Sequence, residues 1–120
     1  MTKLWTALGA LHALVSVACG AFGAHGLRAR LTERMLANWE TAARYQMYHA
    51  LALLAVGALG AQKGPAVDPA GVAFNVGVAL FSGSLYVMAL TGVTKLGAVT
   101  PFGGVGFLVG WALLARAALR

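Results

Sequence analysis

Charge is scarce in this sequence, and negative charge scarcer still. Asp and Glu together number three against nine Lys and Arg, so charged residues make up 10% of the chain while hydrophobic residues make up 60%. A soluble domain of this length carries about a quarter charged residues. A chain of 120 residues also has a high ratio of surface to volume and no interior large enough to hide such an excess of apolar side chains. A water-wetted globule is therefore excluded, and the surplus must face lipid.

Cysteine is nearly absent too. The single thiol, Cys19, excludes an intramolecular disulfide framework and any multi-cysteine zinc or iron–sulfur site. The formal net charge of +6 comes from cations at the ends of apolar runs, as at the flanks of membrane proteins, where they meet anionic head groups. No basic stripe interleaved with aromatics accompanies it, which argues against nucleic acid as a partner. There is no phosphate loop, no HExxH and no nucleophile elbow, and Cys19 has no base at its depth. The expectation is a non-enzyme with no catalytic residues, cofactor or metal.

What is there is long apolar runs. A bilayer core about 30 Å thick needs about 20 apolar residues in a helix. Four runs bounded by charges meet that need, and they predict spans over 4–26, 45–62, 69–93 and 97–116. Asp68-Pro69 and Thr100-Pro101 are helix starts, because Asp or Thr can cap free N–H groups and Pro is tolerated in the first turn. The predicted architecture is an all-α, integral membrane four-helix bundle forming one domain over residues 1–120. Ser16-Val17-Ala18-Cys19 approximates a lipoprotein cleavage box, but Ser16 stands where a Leu-like residue is usual. The first run is thus read as a retained span.

Loop cations do not orient the chain. Lys3, Lys63, Arg116 and Arg120 fall on one side, Arg28, Arg30, Arg34, Arg44 and Lys95 on the other, and the sides become equal if Arg44 belongs to the second helix. Small residues supply the cohesion that lipid does not. Gly20, Gly23 and Gly26 punctuate the first span, Ala73, Gly77 and Gly83 the third, and Gly106 and Gly110 the fourth. Internal packing is the favoured use of these residues. The large outer surface of so small a bundle leaves a homo-oligomer or another membrane protein as a partner besides the lipid bilayer.

The segment from Phe22 to His49 is not simply apolar. Thr32 and Glu33 open a helix in which Met35, Leu36, Trp39, Ala43 and Met47 share one face. This predicts an amphipathic helix over 32–44 that lies in the interface and runs into the second span, with Trp39, Tyr45 and Tyr48 at head-group depth. Glu40 and Arg44 are one turn apart in the order that favours pairing. Asn38, Ala42, Tyr45 and His49 form a narrow polar stripe with Gln46 beside it, and such a stripe must point into protein or water. His25 closes the first span on the side where the second begins, so the candidate polar cluster is His25, Asn38, Glu40, Arg44, Tyr45, Gln46 and His49. His12 lies deeper, away from that level. A second polar set in the third span, Asn75, Ser82, Ser84, Tyr86 and Thr91, is expected mainly to bond to its own helix.

The cluster has three readings. In the first it ties the loop to helix ends and satisfies backbone groups freed by the Gly-rich turn. In the second it binds a proton, ion or polar head group in a small transporter or lipid-binding protein. Metal or haem ligation comes last, since His25 and His49 lack local ligand spacing and no third ligand is evident.

Phe22-Gly23-Ala24-His25-Gly26-Leu27, then Trp39, Ala42, Tyr45, Gln46, Tyr48 and His49, and finally Leu96-Gly97 with Thr100-Pro101-Phe102-Gly103-Gly104 and Gly110-Trp111 resemble the domain of unknown function 423 family along nearly the whole chain. The resemblance implies a small bacterial inner-membrane protein with about four spans and no established activity. It supplies no ligand or catalytic residues, and it argues against cleavage at Cys19. The resulting expectation is a structural or accessory membrane protein, with transport or lipid or ion binding at His25 and His49 as the alternative.

Overall fold

The computed structural model describes all of residues 1–120. It is entirely helical, with α1 over Thr2–His25, α2 over Glu33–Lys63, α3 over Asp68–Thr91 and α4 over Thr100–Leu119. Short 3-10 turns at Gly64–Val67 and Thr94–Ala98 join α2 to α3 and α3 to α4. The caps follow local chemistry. Thr32 is the N-cap of α2, its hydroxyl oxygen accepting the Met35 N–H at 3.1 Å, which satisfies one of the free first-turn donors. Gly92 closes α3 in the left-handed region at φ 75°, a conformation only glycine adopts cheaply.

The 32–44 segment is the first part of α2, which runs unbroken for 31 residues. Trp39 is 4% exposed and buried inside the protein, where its indole N–H donates to the Cys19 carbonyl at 2.7 Å. Tyr45 and Tyr48 are exposed on the body of the same helix.

Three helical segments are long and apolar enough to cross a membrane: Thr2–His25, the run Glu33–Thr91 that contains α2 and α3, and Thr94–Leu119. The helices are not arranged as a square. α1 packs along α2, α2 along α3 and α3 along α4, while α2 touches α4 only briefly and α1 shares no interface with α4. α2 and α3 thus form the spine, and α1 and α4 flank it with most of their surface open. The backbone fills a slab of 48 × 26 × 16 Å.

Two devices set the packing. On α1 the inward residues are Trp5, Gly9, His12, Ser16, Cys19 and Gly23, at alternating spacings of four and three. A Cβ on Gly23 would lie 2.5 Å from the Trp39 ring, so glycine is required for that approach. Ser16 Oγ donates to the Ala43 carbonyl at 2.6 Å, and Trp5 Nε1 donates to Asp68 Oδ1 at 2.7 Å.

The second device joins α3 to α4. Phe74, Gly77 and Phe81 on α3 face Gly110, Phe107 and Gly103 on α4: the Phe74 and Phe107 rings sit on Gly110 and Gly77, and the backbone and Cβ of Phe81 press on Gly103. Large meets small at every step, as close packing demands.

Candidate functional site

Two polar centres lie within the helices, each built around a histidine. The first joins three helices through one continuous run of hydrogen bonds. Asn75 Nδ2 donates to the Gly71 carbonyl at 3.0 Å, which leaves Asn75 Oδ1 to accept from His12 Nε2 at 3.0 Å. The Tyr86 hydroxyl donates to Gln46 Oε1 at 2.8 Å, which leaves Gln46 Nε2 to donate to His12 Nδ1 at 3.2 Å. Only the neutral His12 tautomer with its proton on Nε2 satisfies both neighbours, an assignment made from the network itself. The Tyr86 ring packs edge-on against Trp39, centroids 4.7 Å apart, and Cys19 lies in the same cluster.

The second centre is His49, 4% exposed. Its Nδ1–H donates to the Tyr45 carbonyl at 2.7 Å, and its Nε2 accepts the Trp111 indole N–H at 3.1 Å. This is the opposite neutral tautomer from that of His12. The imidazole lies flat on Phe107, centroids 3.5 Å apart and planes 3° from parallel, with Phe74 at 5.6 Å. Beside it a cleft of about 420 Å³ opens between α2 and α4, lined by Tyr45, Tyr48, His49, Phe107, Leu108 and Trp111 among others.

The residues singled out from sequence are distributed as follows. His25 is exposed at the end of α1. The Ala50 carbonyl abuts Gly9, so His49 lies level with the first half of α1. From Gly9 to His25 is about 24 Å along the helix at 1.5 Å per residue, and the two histidines do not meet. Gln46 joins His12 rather than His49. Tyr45 supplies the carbonyl that holds His49 and stacks beside it. Asn38 makes only a 3.7 Å contact to Met35 Sδ, and Glu40 and Arg44 are exposed on the outer face of α2.

The second polar set divides. Thr91 does bond to its own helix, at the Val87 carbonyl. Ser82, by contrast, donates to the Ala42 carbonyl across the α2–α3 interface at 2.7 Å, and Asn75 and Tyr86 reach other helices. Ser84 does both, bonding to the Phe81 carbonyl and to Thr100. Sequence reasoning missed His12, Asn75, Tyr86, Phe107 and Trp111 as members of the centres. The available signal was the small-and-polar stripe of α1, which places His12 on its packed face.

Chemically, both centres are saturated. Every buried side-chain nitrogen and oxygen has a hydrogen-bond partner. Nowhere do three or more His, Cys, Asp or Glu side chains gather as a metal ion would require.

Comparison with known proteins gives the chain a family. No solved structure matches. A UPF0382 membrane protein of Staphylococcus epidermidis is 48% identical over 98% of this chain and 97% of its own length. One from Staphylococcus saprophyticus is 48% identical over 93% of each chain, and YwdK of Bacillus subtilis, also a UPF0382 membrane protein, is 42% identical over 98% of each. The family model described as protein of unknown function DUF423 matches residues 19–104. With its apolar helices and its membrane-protein relatives, the chain belongs to the DUF423 family.

Proposed function

We propose that this is a four-span protein of the bacterial inner, or cell, membrane that serves as a structural or accessory component without catalysis of its own. The run Glu33–Thr91 is far longer than the roughly 20 residues one crossing needs. It is broken at Gly64–Val67, after which α3 folds back along α2, which supports a reading of two crossings. With Arg44 inside α2, the cations at the two ends number four each: Lys3, Lys63, Arg116 and Arg120 against Arg28, Arg30, Arg34 and Lys95.

The observation that carries the accessory role is the saturation of the buried polar groups. Polar side chains inside a membrane are costly and usually mark a pathway or site. Here they are used up in holding helices together. Purification in a mild detergent, followed by crosslinking, tests the role. A constant membrane-protein partner is expected, and persistent isolation as a lone species would count against it.

A second reading has its own observation, the aromatic cleft beside His49. Its lining suits an acyl chain rather than an ion, so lipid binding is favoured over transport. Gly104 lines this cleft and has open space around it, so Gly104→Phe fills the cleft without crowding the helices. Loss of a co-purifying lipid in that variant, seen by native mass spectrometry, supports the reading, and unchanged lipid retention rejects it.

A further inference from the structure

Away from both histidine centres, the lower ends of α2, α3 and α4 enclose a recess of about 450 Å³. Lys63 from the last turn of α2, and Arg116 and Arg120 from the end of α4, line it together with Pro69, Leu113 and Ala117 among others, and no acidic residue is among the lining. We propose that this recess binds a phosphate-bearing anion, with the three cations gripping the phosphate and Leu113 and Ala117 forming an apolar floor.

The bland account is that each cation complements the carbonyl end of its own helix. That explains part of the charge and not all of it. A helix C-terminus is equivalent to about half a negative charge, so two of them offset roughly one of the three cations. The nearest acid, Asp68, has its Oδ1 on the Trp5 indole and faces a separate recess shared with Met1 and Thr2. Even with a terminal carboxylate at Arg120 counted against the cations, a surplus of positive charge is left in a concavity. Arg116, in the last turn of α4, and Arg120, the cap residue just past its end, are four positions apart, a spacing at which two guanidinium groups can share one phosphate, and guanidinium forks match phosphate oxygens in pairs. Prolines at 65 and 69 contribute no N–H groups, so the grip falls to side chains.

The recess sits where a span ends, so the same chemistry has two sources, a phospholipid head group or free phosphate. This inference does not depend on the accessory role or on the cleft beside His49. The test compares detergent-purified protein with the triple variant Lys63→Gln/Arg116→Gln/Arg120→Gln and with a charge-matched control, Arg28→Gln/Arg30→Gln/Arg34→Gln, at the opposite end. All six residues lie at the ends of helices or in a loop, and circular dichroism checks that each variant is folded. Binding of phosphatidylglycerol against phosphatidylcholine, and of inorganic phosphate, is read by native mass spectrometry and thermal shift.

Each cation near a membrane surface is worth about fivefold, so loss of all three should weaken phosphatidylglycerol binding roughly a hundredfold in the first variant. The control should keep its binding. Competition by inorganic phosphate would assign the site to free phosphate, and its failure to compete would assign the site to a head group. Equal losses in both variants, or equal binding of phosphatidylcholine and phosphatidylglycerol with no phosphate effect, would overturn the proposal.

Discussion

His12 Nε2 donates to Asn75 Oδ1 across 3.0 Å, tying the flanking helix α1 directly to α3 of the spine. The bond is one link of a run from Tyr86 to the Gly71 carbonyl, so removing His12 strands Gln46 Nε2 and Asn75 Oδ1 at once.

His12→Leu should therefore lower stability by about 2 kcal/mol, the range for buried polar groups left without partners. Unfolding in mixed micelles measures this. His25→Leu, at an exposed position, should change stability by less than about 0.5 kcal/mol. Equal effects at the two histidines would refute the three-helix network.

Trp111→Phe keeps an aromatic ring against Phe74 but removes the donor to His49 Nε2. The cost should be about 1 kcal/mol. His49 should become markedly more reactive towards diethyl pyrocarbonate, while exposed His25 reacts quickly in both proteins. Peptide mapping of the modified histidines separates the two.

The interlocked rings and glycines between α3 and α4 predict a rescue. Gly77→Leu should destabilise by about 1–3 kcal/mol through overpacking against Phe107. Adding Phe107→Ala should recover part of that loss, a coupling that a double-mutant cycle reports. Gly104→Ala, with no neighbour within 4 Å of the new Cβ, should stay within about 0.5 kcal/mol of the parent.

Thr32→Ala removes the hydroxyl that accepts the Met35 N–H and should cost about 1 kcal/mol. Faster amide exchange confined to the first turn of α2 would mark it as a cap effect. Faster exchange throughout α2 would instead point to a wider role for Thr32.

The helices were legible from sequence because charge-free runs and helix-start signals are local. Depth was not, and Glu40 and Arg44 show why. Read as the boundary of the second span, they place its beginning near Tyr45 and so bring His49 level with His25. They sit instead on the outer face of α2, while Trp39, Ala42, Ala43 and Gln46 continue the packed face. With α2 starting at Glu33, His49 lies well inside the helix and Gln46 comes level with His12. One helix can carry charge on one side and core on the other, which a one-dimensional hydropathy scan cannot separate. Trp111 was beyond reach for another reason, since its bond to His49 links positions 62 apart.

The inward face of α1 has a consequence for biosynthesis. His12 and Ser16 find their partners on α2 and α3, segments that the ribosome makes later. When α1 first leaves the insertion machinery, these groups face hydrocarbon or one another. The first helix should therefore linger at the insertase until Gln46 and Ala43 arrive, so α1 and α2 enter the lipid as a hairpin.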